Sequence, residues 1–409
     1  MAKMKILLVS QYFWPESFII NDLVRTLTSQ GHEIHVFTGK PNYPEGQIFS
    51  GYTSSGVMTE GFENAVPVFR VPLRPRFNGG AFNLILNYLS FVISGLYYFP
   101  RQIKKQRYDV IFVFAPSPIT QAIPAIYLKW RLKSHLAIWV QDMWPDSLAA
   151  TGFIKNRFIL KIVGYMVRII YSCADTLLIQ SKGFGGPISH FADKSKIEYY
   201  PNSVLLNTQK TSFTLPEELR EVLENNFCVV FAGNIGKAQS IETILAAAHS
   251  LKDMAQVKFV IVGSGSKLDW LRDQKVELGL SNVVIAGRYP ADAMPSIYQY
   301  ASALLVTLKD EEVFSRTIPS KVQAYLAAGK TIIASLKSEG SRVVLEAGAG
   351  LTCKAEDAEA LSQCVQNIYA MSDSERSRMG EAGYAYFLEH FEMTRQAQHL
   401  IELVEQRIS

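Results

Sequence analysis

Nine short stretches that are apolar on both faces, separated by helical patterns, set what this chain can fold into. In the first half they are residues 5–10 (KILLVS), 33–38, 110–114, 136–140 and 176–179. In the second half they are 227–233 (FCVVFAG), 259–263, 283–287 and 303–306. A strand this short that is apolar throughout needs helices on both sides of its sheet, so each series predicts a doubly wound parallel sheet. Between the two series, residues 201–225 hold Pro201, Asn202, a polar stretch and Pro216, and read as a linker. The predicted organisation is α/β: a Rossmann-like domain over 1–200, a second over 226–385, and a final amphipathic helix over 386–409 packing back toward the first. In such sheets ligands bind beyond the carboxyl ends of the strands, which makes a cleft between the halves the expected site.

Composition adds a charge asymmetry. Apolar residues make up 48% and charged residues 19%, as in a globular chain. The net charge is +4, yet residues 1–200 hold 21 Lys and Arg against 12 Asp and Glu, while residues 201–409 hold 20 against 25. A basic first half suits an acidic partner: a membrane surface, a phosphate or nucleic acid. Nucleic acid is set aside, because no strand interleaves aromatic with basic residues. Cys173, Cys228, Cys353 and Cys364 lack C-x-x-C spacing and sit in apolar surroundings, which predicts buried free thiols in a reducing compartment. The chain runs straight into its first strand with no secretory h-region.

The stretch TIPSKVQAYLAAGKTII, residues 317–333, predicts a helix opened by Pro319, closed at Gly329 and followed by a buried strand. Ser320 and Lys321 fall in its first turn. Lysine suits the other end of a helix better, but N–H groups, a hydroxyl and an ammonium at a helix start are what a phosphate needs. The plainer alternative is a solvated lysine. Gly263-Ser264-Gly265 follows a strand, but the third glycine of a dinucleotide fingerprint is missing. There is no Walker loop, no G-x-S-x-G elbow, and no Asp-x-Asp to hold a metal-bound diphosphate.

Taken in order, GHEIHVFTG, KPNYPEG, VQDMWPDSL, YYPNSV, FAGNIGKAQSIETILAA, FVIVGSGSKLDWLR, NVVIAGRYPADAMPSIYQYAS and IPSKVQAYLAAGKTII resemble the family-four glycosyltransferases. These are GT-B enzymes of two Rossmann-like domains that act on nucleotide sugars with retention. The resemblance covers nearly the whole chain. KPNYPEG and DMWPDS are most similar to the bacterial subgroup typified by WbuB, assigned to O-antigen, capsule and colanic-acid assembly, with L-N-acetylfucosamine as the sugar of its type member. It implies a UDP-sugar donor and a polyprenyl-diphosphate-linked glycan acceptor, with no metal or other cofactor. The implied donor residues are Gly233, Asn234, Lys237, Gln239, Gly263, Arg288, Tyr289, Arg316, Thr317, Ser320, Lys321 and Tyr325. Ser17, Ser117 and Trp144 are implied on the acceptor side.

The chain also departs from the family. Two glutamates with seven residues between them are replaced by Arg316 and Ala324, and the Arg and Lys of the phosphate site by Asn234 and Gln239. Cationic help then falls to Lys321, Arg316 or Lys237. A GT-B-fold UDP-sugar epimerase and a non-catalytic membrane-bound partner stand as alternatives to the transferase.

Asp142 follows a buried strand, where a carboxylate steers an acceptor hydroxyl or takes its proton; the alternative is a turn cap. Glu16, in the first strand-to-helix loop, is the second catalytic candidate, against a first-turn helix carboxylate. Residues 79–99 carry no charge, with Asn83, Asn87, Ser90 and Ser94 along one helical stripe. A spanning helix, a packed crossover helix and a helix dipping into the membrane surface are all open. Arg70, Arg74 and Arg76 precede the segment, and Arg101, Lys104, Lys105 and Arg107 follow it. The expectation is a peripheral protein on the cytoplasmic face of the inner membrane, held to anionic lipid through residues 70–107.

Overall fold

A computed structural model describes residues 3–63, 66–77, 80–103, 106–150, 154, 156–206 and 213–408. The chain forms two compact units, Met1–Leu205 with Met393–Ser409, and Leu206–Glu392.

The first unit runs β1 (Lys5–Val9), α1 (Ile19–Ser29), β2 (Glu33–Gly39), β3 (Met58–Phe62), β4 (Val66–Val71), α2 (Ala81–Gln102), β5 (Val110–Ala115) and α3 (Ala122–Leu132). It continues through β6 (His135–Val140), α4 (Asp146–Ala150), α5 (Arg157–Cys173), β7 (Thr176–Ile179), α6 (Gly185–Ser189) and β8 (Ile197–Tyr199). Its eight strands lie in the order β3-β4-β2-β1-β5-β6-β7-β8. All neighbours are parallel except β3, which pairs antiparallel with β4. The alternation had not signalled this edge hairpin, because β4 carries Pro67 and β3 is half polar. One face of the sheet packs on α2, α3 and α5 through Phe91, Phe99, Ala125, Val167 and Ile170. The other packs on α1 and on α16 (Met393–Ile408) through Leu23, Val24, Ala397 and Leu400.

The second unit runs α7 (Glu217–Asn225), β9 (Phe227–Ala232), α8 (Ile241–Ser250), β10 (Val257–Val262), α9 (Leu268–Glu277), β11 (Val283–Gly287), α10 (Met294–Tyr298) and β12 (Ala303–Thr307). It ends with α11 (Glu312–Ser315), α12 (Ser320–Ala327), β13 (Ile332–Ser335), α13 (Glu339–Glu346), β14 (Gly350–Cys353), α14 (Ala358–Ala370) and α15 (Asp373–His390). The sheet order is β11-β10-β9-β12-β13-β14, parallel throughout. That order reverses direction between β9 and β12, the switch point where α/β sheets take ligands.

Two boundaries differ from expectation. Residues 217–225 are a helix rather than linker, since Leu219 and Leu223 bury one stripe beneath a start set by Pro216; residues 207–212 lie outside the described residues. Residue 386 falls inside α15, which starts from a Ser372–Glu375 capping box and runs to His390. Only α16 belongs to the first unit. The four cysteines are free, Cys228 and Cys364 buried and Cys173 and Cys353 partly so.

Candidate functional site

In the second unit, the expected phosphate residues gather at the β9/β12 switch point. Pro319 starts α12 and Gly329, at φ +63°, stops it. This places Lys321 in the first turn, where the helix N–H groups lack intrahelical acceptors. Lys321 is half-buried rather than freely solvated. Its Nζ lies 3.8 Å from the centroid of the Phe231 ring and donates to Gln239 Oε1. Burial pushes its ammonium down to about 7. Gly233 is what allows this approach: at φ +144°, a β-carbon there would fall 2.5 Å from Lys321 Cε. Gln239 closes a short 3₁₀ turn that begins at the exposed Lys237.

The neighbouring loops are tied in sheet order. Gly233 N donates to Val262 O at 2.9 Å and Gly263 N to Gly287 O at 2.7 Å. Gly263 is required by this backbone crowding, because a β-carbon would meet Gly233 O at 1.8 Å. It serves the turn, and α9 starts only at Leu268. Asn234 is exposed beside it, as is Arg288 after β11, while Tyr289 packs edge-on against Phe213 at 6.0 Å. Ser320 is exposed at the helix start.

Three residues expected on the donor side have other partners in this structure. Tyr325 is fully buried, its hydroxyl accepting from Ala232 N at 3.1 Å and lying 3.3 Å from Leu305 O, so it bolts α12 to β9 and β12. Arg316 is paired with Glu312 at 2.8 Å. Thr317 Oγ1 donates to Phe314 O at 3.3 Å and shapes a turn. Two lysines had been missed. Lys309 N donates to Ala238 O at 3.0 Å, and Lys267 pairs with Glu242. Burial, then Lys309 and Lys237, lower the Lys267 ammonium, which places the three cations together. Their position just past β10 and β12 was the available signal.

In the first unit, Asp142, Ser117 and Trp144 form one chain. Ser117 Oγ donates to Asp142 Oδ2 and accepts from Trp144 Nε1 at 2.8 Å. The loops after β5 and β6 carry them, so Asp142 is an acceptor of a side-chain hydroxyl rather than a cap of backbone N–H groups. It stays half-exposed. Tyr88 of α2 lies tilted against Trp144, with ring centroids 6.5 Å apart. Burial raises the Tyr88 hydroxyl and the adjacent Arg76 opposes that rise. Arg76 also lies over Tyr43 at 5.2 Å and Tyr12 at 5.9 Å. A cavity of about 330 Å³ opens here, lined by Tyr43, Pro44, Glu45, Gly46, Arg76, Phe77 and Leu84.

Glu16 occupies a different place from the one expected of a catalytic carboxylate. It is 2% exposed, and its Oε1 accepts from Asn42 N at 2.8 Å and Tyr43 N at 2.7 Å, its Oε2 from Phe13 N at 3.2 Å. Burial raises its carboxyl to about 7 against these three donors. It pins the cavity-lining loop to the end of β1, and it precedes α1 rather than starting it. Ser17, next to it, is exposed.

The polar stripe of α2 faces inward. Asn87 is fully buried, accepting from Gln11 Nε2 at 2.7 Å, and Gln11 N donates to Gln121 Oε1 at 2.7 Å. Ser90 Oγ accepts from Arg74 N at 3.0 Å. The expected basic flank is thinner than the sequence suggested. Arg70 is buried in an ion pair with Glu60, and Arg76 turns to the cavity. Arg74, Arg101 and Arg107 are exposed, and Lys104 and Lys105 lie outside the described residues.

Residues 217–386 match the family model of the glycosyl transferases group 1. The chain is 25% identical over 339 residues to the putative colanic acid biosynthesis glycosyl transferase WcaI of Escherichia coli (strain K12), covering 80% of this chain and 82% of that one. The structure of sucrose-phosphate synthase from Thermosynechococcus elongatus superposes with a TM-score of 0.70 at 17% identity over 99% of both chains. The E. coli trehalose-6-phosphate structure bound with UDP-2-fluoro glucose gives 0.69 at 12% identity, over 98% of this chain and 99% of that one. At such identities the two structures speak for the fold alone.

Proposed function

We propose, for a chain that is a group 1 glycosyltransferase with the GT-B fold, that it moves a sugar from UDP to a polyprenyl-diphosphate-linked oligosaccharide in bacterial surface polysaccharide synthesis. The sugar in this reading is an N-acetylated hexosamine or its 6-deoxy relative, of the L-N-acetylfucosamine kind. The name of the colanic acid relative supports the pathway, and the UDP-sugar in the E. coli trehalose-6-phosphate structure supports the donor class.

The observation that carries the reading is Lys321, half-buried at a helix start over Phe231, with the neutral amide of Gln239 as its hydrogen-bond partner among the described residues. As the anomeric bond breaks, negative charge grows on the leaving diphosphate. Lys321, the Ser320 hydroxyl and the α12 N–H groups are already oriented to receive it, so little reorganisation is spent at that moment. Lys237, Lys267 and Lys309 add positive potential nearby, and no metal ion is called for. In the first unit Asp142, held by Ser117, orients the acceptor hydroxyl and draws off its proton. Attack on the face from which the diphosphate leaves retains the anomeric configuration. Work of this kind belongs at the cytoplasmic face of the inner membrane, where a lipid-linked acceptor and a nucleotide sugar meet.

The test is a panel of UDP-N-acetylhexosamines offered with a lipid-linked acceptor, following UDP release and the anomeric configuration of the product. UDP release with retained configuration from one of them is expected. Epimerised UDP-sugar without UDP release would overturn the proposal.

A further inference from the structure

The two faces of the first unit's sheet are covered by helices of opposite character. In α2, α3 and α5 there is no Asp or Glu, against six Lys and Arg: Arg101, Lys129, Arg131, Arg157, Lys161 and Arg168. On the other face, α1 and α16 carry acidic residues among their basic ones. The outer surface of the first group is also apolar. Thirteen of the 25 large apolar side chains exposed among the described residues sit on these three helices, six on α2, two on α3 and five on α5. Phe82, Ile93, Trp130, Phe158, Ile162 and Tyr165 are each 55% to 71% exposed. Patches on this scale mark an interaction surface rather than ordinary surface.

The helices are contiguous. α3 packs between α2 and α5, and Gly95 of α2 lies against Pro124 of α3 closely enough that a β-carbon would meet it at 2.7 Å. On α5 the spacing of Phe158, Ile162, Tyr165 and Ile169 makes one outward stripe, while Val167, Ile170 and Tyr171 face the core. Arg157, Lys161 and Arg168 each precede a residue of that stripe and so flank it. This is the arrangement of a helix lying in a membrane interface, with apolar residues inward and long basic side chains reaching to the headgroups. Among the described residues, α2 alone is long and apolar enough to cross a membrane. Asn87, Phe91 and Phe99 bury its other face in the unit, so it lies along a surface rather than crossing.

We propose that the α2–α3–α5 face of the first unit docks on an anionic lipid bilayer, with α5 as its principal anchor. A second copy of this chain is the weaker occupant, because a twofold contact would set the same cations against each other. The proposal goes beyond the transfer reading and is drawn from the first unit alone. It also gives a lipid-linked acceptor an approach, since Leu84 of α2 lines the cavity that holds Arg76.

The test is flotation of the full chain with phosphatidylglycerol or phosphatidylcholine vesicles at low salt. Wild type is expected to float with phosphatidylglycerol and weakly with phosphatidylcholine. The triple variant Phe158→Ser, Ile162→Ser, Tyr165→Ser should stay unbound. The triple variant Arg157→Gln, Lys161→Gln, Arg168→Gln should lose roughly a hundredfold in affinity for phosphatidylglycerol, at about tenfold or less per basic residue. UDP titration of each variant confirms a folded chain and keeps this result separate from the donor reading. Equal flotation with both lipids, or unchanged binding by either variant, would overturn the proposal. So would a concentration-dependent dimer in sedimentation that the Phe158 variant breaks, which would assign the face to a second copy.

Discussion

Lys321 of α12 lies over the ring of Phe231 in β9, its Nζ 3.8 Å from the ring centroid. A cation on an aromatic face is stabilised modestly, by about 0.5–2 kcal/mol, and Gln239 adds a neutral acceptor. Neither compensates for lost water as a carboxylate would, and the ammonium sits near its titration point at about 7. In the proposed reading, an arriving diphosphate supplies the missing charge.

UDP binding should therefore take up a proton. The free lysine titrates at about 7, below its ordinary range, and a bound diphosphate raises it again. Below pH 7 Lys321 is protonated in both states, so affinity is insensitive to it. Above that, affinity should fall by up to about tenfold per pH unit. The second phosphate ionisation, at about 6, is already complete there. Calorimetry in buffers of different ionisation enthalpy measures the proton directly; no uptake above pH 7 would mean that Lys321 does not meet the diphosphate. For the free fold the sign is opposite: between about 7 and the unfolded value of 10.5, the unfolded chain holds more protons, so stability rises with pH.

Gly233→Ala should weaken UDP binding without unfolding the chain. Its φ of +144° disfavours a side chain, and the added carbon meets Lys321 Cε at 2.5 Å. The flexible lysine moves off Phe231 and out of register with the helix start. Backbone strain costs about 1–3 kcal/mol, visible in denaturation, while titration should show at least tenfold weaker UDP. Unchanged affinity would show that the lysine's position is immaterial.

Asp142→Asn should cut transfer by roughly a hundredfold or more, the range of a lost general base, and leave UDP affinity as it was. Ser117→Ala should fall between wild type and that variant, because it frees the carboxylate from its hydrogen bond without removing it. Steady-state transfer assays check both; activity within a few-fold of wild type for Asp142→Asn would reduce it to a loop residue.

How far the sequence could be read depended on how local each determinant was. Strand identities, the helix opened by Pro319 and the placement of Lys321 rest on neighbouring residues and were legible. The direction of a side chain within its element was not. Tyr325 follows Lys321 by one helical turn, and only the packing of α12 on β9 and β12 turns its hydroxyl to Ala232 N and Leu305 O. The polar stripe of α2 was visible, but Asn87 finds its partner in Gln11, 76 residues away. Arg70 reads as a surface cation until Glu60, on the antiparallel strand that the pattern did not reveal, takes it into the core.

Glu16→Ala should act on stability first. It leaves the N–H groups of Asn42, Tyr43 and Phe13 without their acceptor, at about 1–3 kcal/mol for each that stays buried. Glu16→Gln keeps one carbonyl acceptor and should lose less. Urea denaturation ranks the three proteins; a full loss of transfer in Glu16→Gln at wild-type stability would instead give Glu16 a part in the chemistry.

The most direct test of the account is calorimetric titration of UDP into wild type and Lys321→Met, a substitution that keeps the stem over Phe231 and removes the charge. Losing one charge-assisted hydrogen bond is worth about 1.5–3 kcal/mol, so the variant should bind UDP roughly ten- to a hundredfold more weakly at neutral pH while remaining folded. Equal affinity in a folded Lys321→Met protein would contradict the diphosphate site at the start of α12.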